Sequence, residues 1–397
     1  MARLRLSLRP CVLTLPAAVV LGVAPTRAIA QPDGYQLYLG GYPIAETSWS
    51  NDSQGVAHDD GNWFITQTET IWKIPVARDL RTVTAASPGV IRVPLANYAP
   101  LVGFHHIGDP VVYKHNGVDY LLVPIEGPGK PGSIAVLACT TLAYITHFPQ
   151  ASQGGDAGWC AVDEAGIIYS SLQHASSLLR YQLNWPLLQS TGTPQVTTLG
   201  SIPMLNESGS ALDLVTMQGG EFAPGGRLLY LISGFYDDSG GLEDREGIHV
   251  LERTSSGTAW KRVGHSTRGF GHFDFYYDPG FPTYEEPEGL TIWDLDDGRA
   301  PGIRGQLHAM VSDNDIEAGD IDFKHYTCTI RVNPSGGCTP GTQPGSPSCP
   351  FPTIGGAASL AWSGAEIRLR AATYNGPLSL AKRVRLSAEG GVVRIGH

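Results

Sequence analysis

The residues of this chain that could do chemistry share one setting: each stands where a short apolar run begins. In "EEPEGLTIWDLDDG", Glu285 to Gly298, the carboxylates Glu286 and Glu288 come just before the run Leu290 to Trp293. Asp52 and Gln54, then His105, His106 and Asp109, then Asp156, then Gln218 and Glu221 hold comparable positions elsewhere. Imidazoles and carboxylates brought within reach of one another are the ordinary materials of general acid–base catalysis. "GFHHIGDP", Gly103 to Pro110, supplies two imidazoles and a carboxylate at once. Alternation along a strand sends His105 and His106 to opposite faces. His106 with Asp109 is the expected acid–base pair, and Glu221 is a further proton carrier. A structural pairing of the same histidine with a carboxylate is the alternative reading.

The binding residues follow similar logic. "GHSTRGFGHFDFYYDPGFPTYEEPEG", Gly264 to Gly289, sets seven Phe and Tyr residues beside Arg268 and His272. Sugar rings dock on aromatic faces, so His272 and Tyr276 are expected to touch substrate, with Gln54 and with Glu126 of "VPIEG". The alternative is that "FDFYY" is an alternating strand with one face in a core. Carboxylates crowded together ionise reluctantly unless a cation joins them. Ca2+ suits such a site, because it takes six to eight hard oxygens, and Asp156 at its strand start is one expected ligand. No G-x-S-x-G elbow, H-E-x-x-H helix or phosphate-binding loop occurs, and no cysteine–histidine dyad stands out.

These residues need elements that bring them together. Gly is 49 and Pro 29 of 397 residues, and both fall between short apolar runs instead of in one linker. A glycine followed by an apolar strand, a turn and further strands recurs from Gly55, Gly108, Gly158, Gly219 and Gly289, at spacings of 53, 50, 61 and 70 residues. Repeats of this kind predict an all-β chain, a five-bladed β-propeller, with six blades as the alternative if Glu252 to Glu286 hides another. A two-sheet sandwich would explain the strands but not the repeat. "YQLYLGG", Tyr35 to Gly41, is the candidate strand to close the ring. In a propeller the first strand of each blade lines the axis, so the polar strand starts should converge on one funnel.

"PEGL", Pro287 to Leu290, resembles a strand start in the calcium-dependent gluconolactonase, paraoxonase and phytase-like propellers. That resemblance implies an axial calcium bound by Glu288, with Asp313 and Asn314 of "VSDND" next. The tail "PFPTIGGAASLAWSG" and "IRLRAATYNGPLSLAKRVRLSAEGG" resembles the opening rungs of secreted pectate-lyase-like parallel β-helices, over about the last fifty residues. The expected organisation is a signal peptide over 1–30, a propeller over 31–332, a Gly/Pro/Ser linker over 333–350 and a β-helix-like tail over 351–397.

The opening thirty residues carry Arg3, Arg5 and Arg9, an apolar stretch Cys11 to Ala24, and Ala28-Ile29-Ala30 as a cleavage site, the anatomy of a signal peptide. Removal takes four of the 27 Lys and Arg and none of the 37 Asp and Glu, leaving a formal charge of −14. A secreted acidic protein is a poor partner for nucleic acid or membrane. The expected ligand is a carbohydrate or another small molecule. Of the remaining cysteines, Cys338 with Cys349 is the favoured disulfide and Cys139 with Cys160 the weaker one. Two functions fit: an extracellular hydrolase or lyase acting on a carbohydrate or small ester with calcium, or a lectin-like propeller that binds without turnover.

Overall fold

Runs of β-branched and aromatic residues, separated by glycine and asparagine turns too short for a crossover, pair antiparallel with their sequence neighbours. Here they do so blade by blade. A computed structural model describes residues 36–44, 48–234, 245–267, 273–278, 285–313, 320–337, 345, 349–361, 366–375, 378–380 and 384–396. Strand β1 (Leu37–Ile44) precedes five blades, the third and fourth joined where Met204 and Leu205 pair parallel with Trp260 and Lys261. Blade 1 is β2 (Ser53–His58), β3 (Asn62–Gln67), β4 (Thr70–Pro75) and β5 (Ile91–Pro94). In blade 2 the inner strand is broken into β6 (His106–Ile107) and β7 (Val111–His115), followed by β8 (Val118–Glu126), β9 (Ser133–Ala138) and β10 (Tyr144–Pro149). Blade 3 holds β11 (Ala161–Val162), β12 (Ile167–Ser170), β13 (Ser177–Leu183), the helix α1 (Trp185–Thr191) and β14 (Val196–Leu205). Blade 4 is β15 (Met217–Phe222), β16 (Leu228–Ser233), β17 (Gly247–Arg253) and β18 (Trp260–Thr267), with β19 (Phe273–Asp274) at its edge. Blade 5 is β20 (Glu285–Ile292), β21 (Leu307–Asp313) and β22 (Asp320–Thr327), and β1 completes it as the fourth strand, Leu37 opposite Thr327.

The ring therefore closes with strands from both ends of the propeller sequence. The inner strands touch in the order β2, β7, β11, β15, β20 and back to β2. Alternation on each strand feeds two cores. On β3, Trp63 and Ile65 pack toward Trp293 and Phe323 of blade 5, while Phe64 packs toward Leu121 and Ala135 of blade 2. Five such clusters fill the five gaps between blades. The fold is a five-bladed β-propeller. The interval Glu252 to Glu286 holds no sixth blade among the described residues, since β18 and β19 both belong to the sheet of blade 4.

The tail has a different geometry. Strand β23 (Thr329–Val332), β24 (Glu366–Arg370) and, after β25 (Thr373–Tyr374), β26 (Arg385–Glu389) stack parallel and in register. β25 pairs parallel with β27 (Arg394–Ile395). The short helix α2 (Ile354–Leu360), capped by Thr353, covers one side of a separate small core into which Leu37 also packs. Arg331 ties the stack to the propeller through Asp296 of blade 5. Residues 329–332, placed in the propeller by the sequence reading, thus form the first strand of the tail, because only Cys328 separates β22 from β23. Cys139 and Cys160 are each a buried free thiol, which corrects the weaker disulfide assignment: they sit in the cores of different inter-blade gaps. Cys338 lies outside the described residues.

Candidate functional site

The five repeat glycines meet at the propeller axis, and the reason is steric. A Cβ on Gly289 would lie 2.3 Å from Asp109 Oδ1 and 2.7 Å from the Cα of Gly55. One on Gly108 would lie 2.0 Å from the carbonyl oxygen of Gly158. Only backbone fits there. Asp109, fully buried, occupies the centre and bonds to every other blade. Its Oδ1 accepts from the Val56 N–H of blade 1 at 2.9 Å and its Oδ2 from the Gly220 N–H of blade 4 at 3.1 Å. The Leu290 N–H of blade 5 bonds to the same carboxylate, while the Asp109 N–H donates to Gly158 O of blade 3 at 2.8 Å. Burial pushes this carboxyl up, opposed by those N–H bonds. Asp109 is the hub of the ring.

Just ahead of three of these glycines stands a polar residue that skips the ladder. Gln54 falls between the paired residues Ser53 and Gly55, Gln218 between Met217 and Gly219, and Glu288 between Pro287 and Gly289. Each is a β-bulge, the device that re-aims a side chain at a strand end. All three point into an axial cavity of about 320 Å³ above the hub. His106 and Glu126 of blade 2, Asp156, Ser171 and Gln173 of blade 3, and Glu286 of blade 5 complete its polar lining. The wall thus carries four carboxylates and one imidazole, with no Lys or Arg among its described residues.

A chain of contacts runs around this wall. Gln54 Nε2 donates to Glu288 Oε1 at 3.2 Å, and Gln54 Oε1 accepts from His106 Nε2 at 2.7 Å. His106 Nδ1 lies 3.4 Å from Glu126 Oε2, and Glu126 Oε1 accepts the Ala157 N–H. Across the ring Gln218 donates to Glu286. These environments drive the carboxyls apart in acidity. Burial raises Glu288 well above its usual range, and the neighbouring Glu286 and Asp109 add to the rise. Burial likewise lifts Glu286, to about 7, against the Gln218 amide. Burial would raise Glu126 as well, but His106 and the Ala157 N–H outweigh it and hold that carboxyl below its usual range. Burial and the charge of Glu126 raise Asp156.

The sequence-derived candidates fall into three groups. Gln54, His106, Glu126, Asp156 and Glu288 share the cavity. Asp109 and Glu221, expected to be catalytic, do not line it. Asp109 is sealed beneath it by backbone, and Glu221 stands beyond the hub, where it accepts the Ile292 N–H at 2.9 Å. Tyr276 also stays out: it is 60 % exposed, whereas Phe273, Phe275 and Tyr277 alternate into the core between blades 4 and 5, so "FDFYY" follows the strand alternative. His272, Asn314 and the side chain of Asp313 lie outside the described residues. Glu286 and Gln218, named among the polar strand starts but given no role there, complete the lining. Their signal was present, a polar residue one or three places before the repeat glycine. Ser171 and Gln173 follow the second strand of blade 3, where no pattern marked them.

Oxygen donors of this kind suit Ca2+ in type. In number they fall short: no three His, Cys, Asp or Glu side chains gather at ion-holding separations among the described residues.

No family model matches the sequence, nor does any curated protein sequence. Solved structures resemble it in outline. A GH43_1 enzyme from Xanthomonas citri shares 12% identity over 79% of this chain and 94% of its own, with a TM-score of 0.39. A thermostable family-43 glycoside hydrolase shares 11% identity over 77% of this chain and 98% of its own, TM-score 0.40. The β-propeller domain of Cps50 (Swd1) from Myceliophteria thermophila shares 12% identity over 68% of this chain and 82% of its own, TM-score 0.32.

Proposed function

We propose that the axial cavity hydrolyses a glycosidic bond in a neutral carbohydrate. One observation carries this reading: in a single small cavity, burial shifts the acidity of Glu286 and Glu288 one way while His106 and the Ala157 N–H shift that of Glu126 the other. Glycoside hydrolysis requires that division, one carboxylic acid to protonate the leaving oxygen and one carboxylate to act at the sugar carbon or on the attacking water. Glu286 and Glu288, adjacent on one strand face, retain a proton near neutral pH and are the donor. Glu126, held ionised by His106, is the base. As the C–O bond breaks, the donor's proton goes to the departing oxygen, and Glu126 takes a proton from the water that adds to the sugar carbon. The amides of Gln54, Gln218 and Gln173 suit hydroxyl groups, and a wall without Lys or Arg disfavours phosphorylated or carboxylated ligands. The volume is near the lower end of small-molecule sites, about 300–1,000 Å³.

Calcium belongs to this proposal in a limited role. Of the expected ligands Glu288 and Asp156 share the cavity; an ion there would take the place of the Glu288 proton, leave Glu286 as the donor, and rest mainly on water and substrate oxygens, which it would polarise. Export is part of the same reading, with processing after Ala30, as is kinship of the tail with pectate-lyase-like β-helices, which its parallel stacking supports. The test is a panel of neutral chromogenic glycosides assayed with the whole chain and with Glu288→Gln and Glu126→Gln, alongside calorimetric titration of the matching sugars. Turnover lost in both variants with the fold intact supports the hydrolase. Sugar binding without turnover in the parent protein would replace it by the lectin-like reading.

A further inference from the structure

A second cavity, of about 480 Å³, opens on the outer side of blades 2 and 3, away from the axial residues. Its floor is Trp185, at the start of α1, which is 3% exposed and fixed by an Nε1–H bond to Gly166 O at 2.9 Å. Tyr113 lies against this indole with ring centres 4.5 Å apart, and His115 continues the stack at 6.4 Å from Tyr113, the two planes only 22° apart. Gly166, at φ +78°, is what permits the approach: a Cβ there would meet Trp185 Nε1 at 2.6 Å and the Tyr113 hydroxyl at 2.8 Å. The facing wall is made of carboxamides. Gln195 Oε1 accepts from Asn184 Nδ2 at 2.8 Å, and Gln182 Nε2 donates to Leu183 O at 3.2 Å. Their remaining polar atoms, Gln195 Nε2 and Gln182 Oε1, and the hydroxyls of Tyr113 and Thr197 hold no partner within the protein among the described residues.

No Asp, Glu, Lys or Arg lines this cavity among its described residues. A phosphate or an acidic peptide would find no counter-charge there. A ring system beside unused donors and acceptors of amide and hydroxyl type matches a ligand with apolar C–H faces and a rim of hydroxyls. From this geometry we infer that the blade 2–blade 3 cavity is a second, non-catalytic site that binds a segment of neutral glycan. Nothing in it depends on the chemistry proposed for the axial funnel.

The experiment is affinity electrophoresis of the whole chain through gels containing soluble neutral polysaccharides, checked by titration with short neutral oligosaccharides. Tyr113→Ala should weaken retention about two- to tenfold, the size of a lost ring contact. Gln195→Ala, on the exposed rim, should weaken it in the same direction with an unchanged melting temperature. This second variant keeps the test decisive if Tyr113→Ala folds poorly. Retention unaffected by Gln195→Ala and by any folded Tyr113 variant would overturn the inference. So would retention abolished by Gln218→Trp, which obstructs the funnel, and by neither outer-site variant. If no glycoside is hydrolysed yet retention still responds to Gln195→Ala, the funnel proposal falls and this one stands.

Discussion

Asp109 and Glu288 are both carboxylates on inner strands, both buried, and close enough that the charge of one raises the other. Their surroundings nevertheless make them opposites. Asp109 accepts main-chain N–H groups from three blades, so both its oxygens are engaged by strands that cannot move independently. Glu288 has a side-chain amide for company and an open cavity in front of it. A carboxylate saturated by backbone becomes architecture, whereas one held loosely by another side chain keeps a proton it can give away. Residue type and burial do not separate the two. The identity of the hydrogen-bond partner does.

Breaking the hub should have the largest effect. Asp109→Asn turns one acceptor into a donor that faces a main-chain N–H, and should cost about 3 kcal/mol or more of stability, read by urea denaturation. Gly289→Ala forces a methyl group onto Asp109 and the Gly55 backbone, with a loss of about 3 kcal/mol expected from the same measurement. A hub variant that unfolds like the parent protein would erase the distinction between hub and funnel.

Funnel variants should behave in the reverse way. Glu288→Gln keeps shape and removes the ionisable proton, so glycosidase activity should fall at least about a hundredfold while the urea midpoint holds or rises. The pH dependence sharpens the contrast. Burial lifts Glu286 from 4.5 to about 7, so between those values the folded state binds more protons than the unfolded chain. Stability should therefore decline as pH rises through that window and level off above it, by on the order of 3 kcal/mol. Glu286→Gln should flatten the slope, and a melting curve independent of pH from 5 to 8 in the parent protein would contradict the assignment. The proposed rate should fall along the same upper limb, as the donor loses its proton. The smallest effect is expected at Gln54→Ala, which unlinks His106 from Glu288: a change of about tenfold in kcat with KM nearly constant, and a shifted pH profile that a purely structural role would not produce.

Blade number and the axis were largely legible because they rest on local pattern. Gly55, Gly108, Gly158, Gly219 and Gly289 are spaced as repeats, and close backbone approach is the physical reason glycine is required at each. The closing strand was visible in "YQLYLGG" for a similar reason, an apolar run with no other partner. His106 at the cavity follows from period-two alternation. Asp109 and Glu221 were misplaced because nothing in their own neighbourhoods marks depth along the axis. Asp109 sits at a break between β6 and β7, and Glu221 lies three residues past Gln218, on the far side of the hub. The aromatic cluster misled through composition: Phe273, Phe275 and Tyr277 are core because β19 joins blade 4.

The chain's own order of residues determined its all-β character, its repeat and the polar residue before each turn toward the axis, since these follow from backbone sterics and periodicity over a few positions. Which carboxylate became a bolt and which came to face an open cavity was decided only when five distant strands converged, because hydrogen bonding depends on neighbours such as Val56 for Asp109 and Gln54 for Glu288, 53 and 234 residues away in sequence.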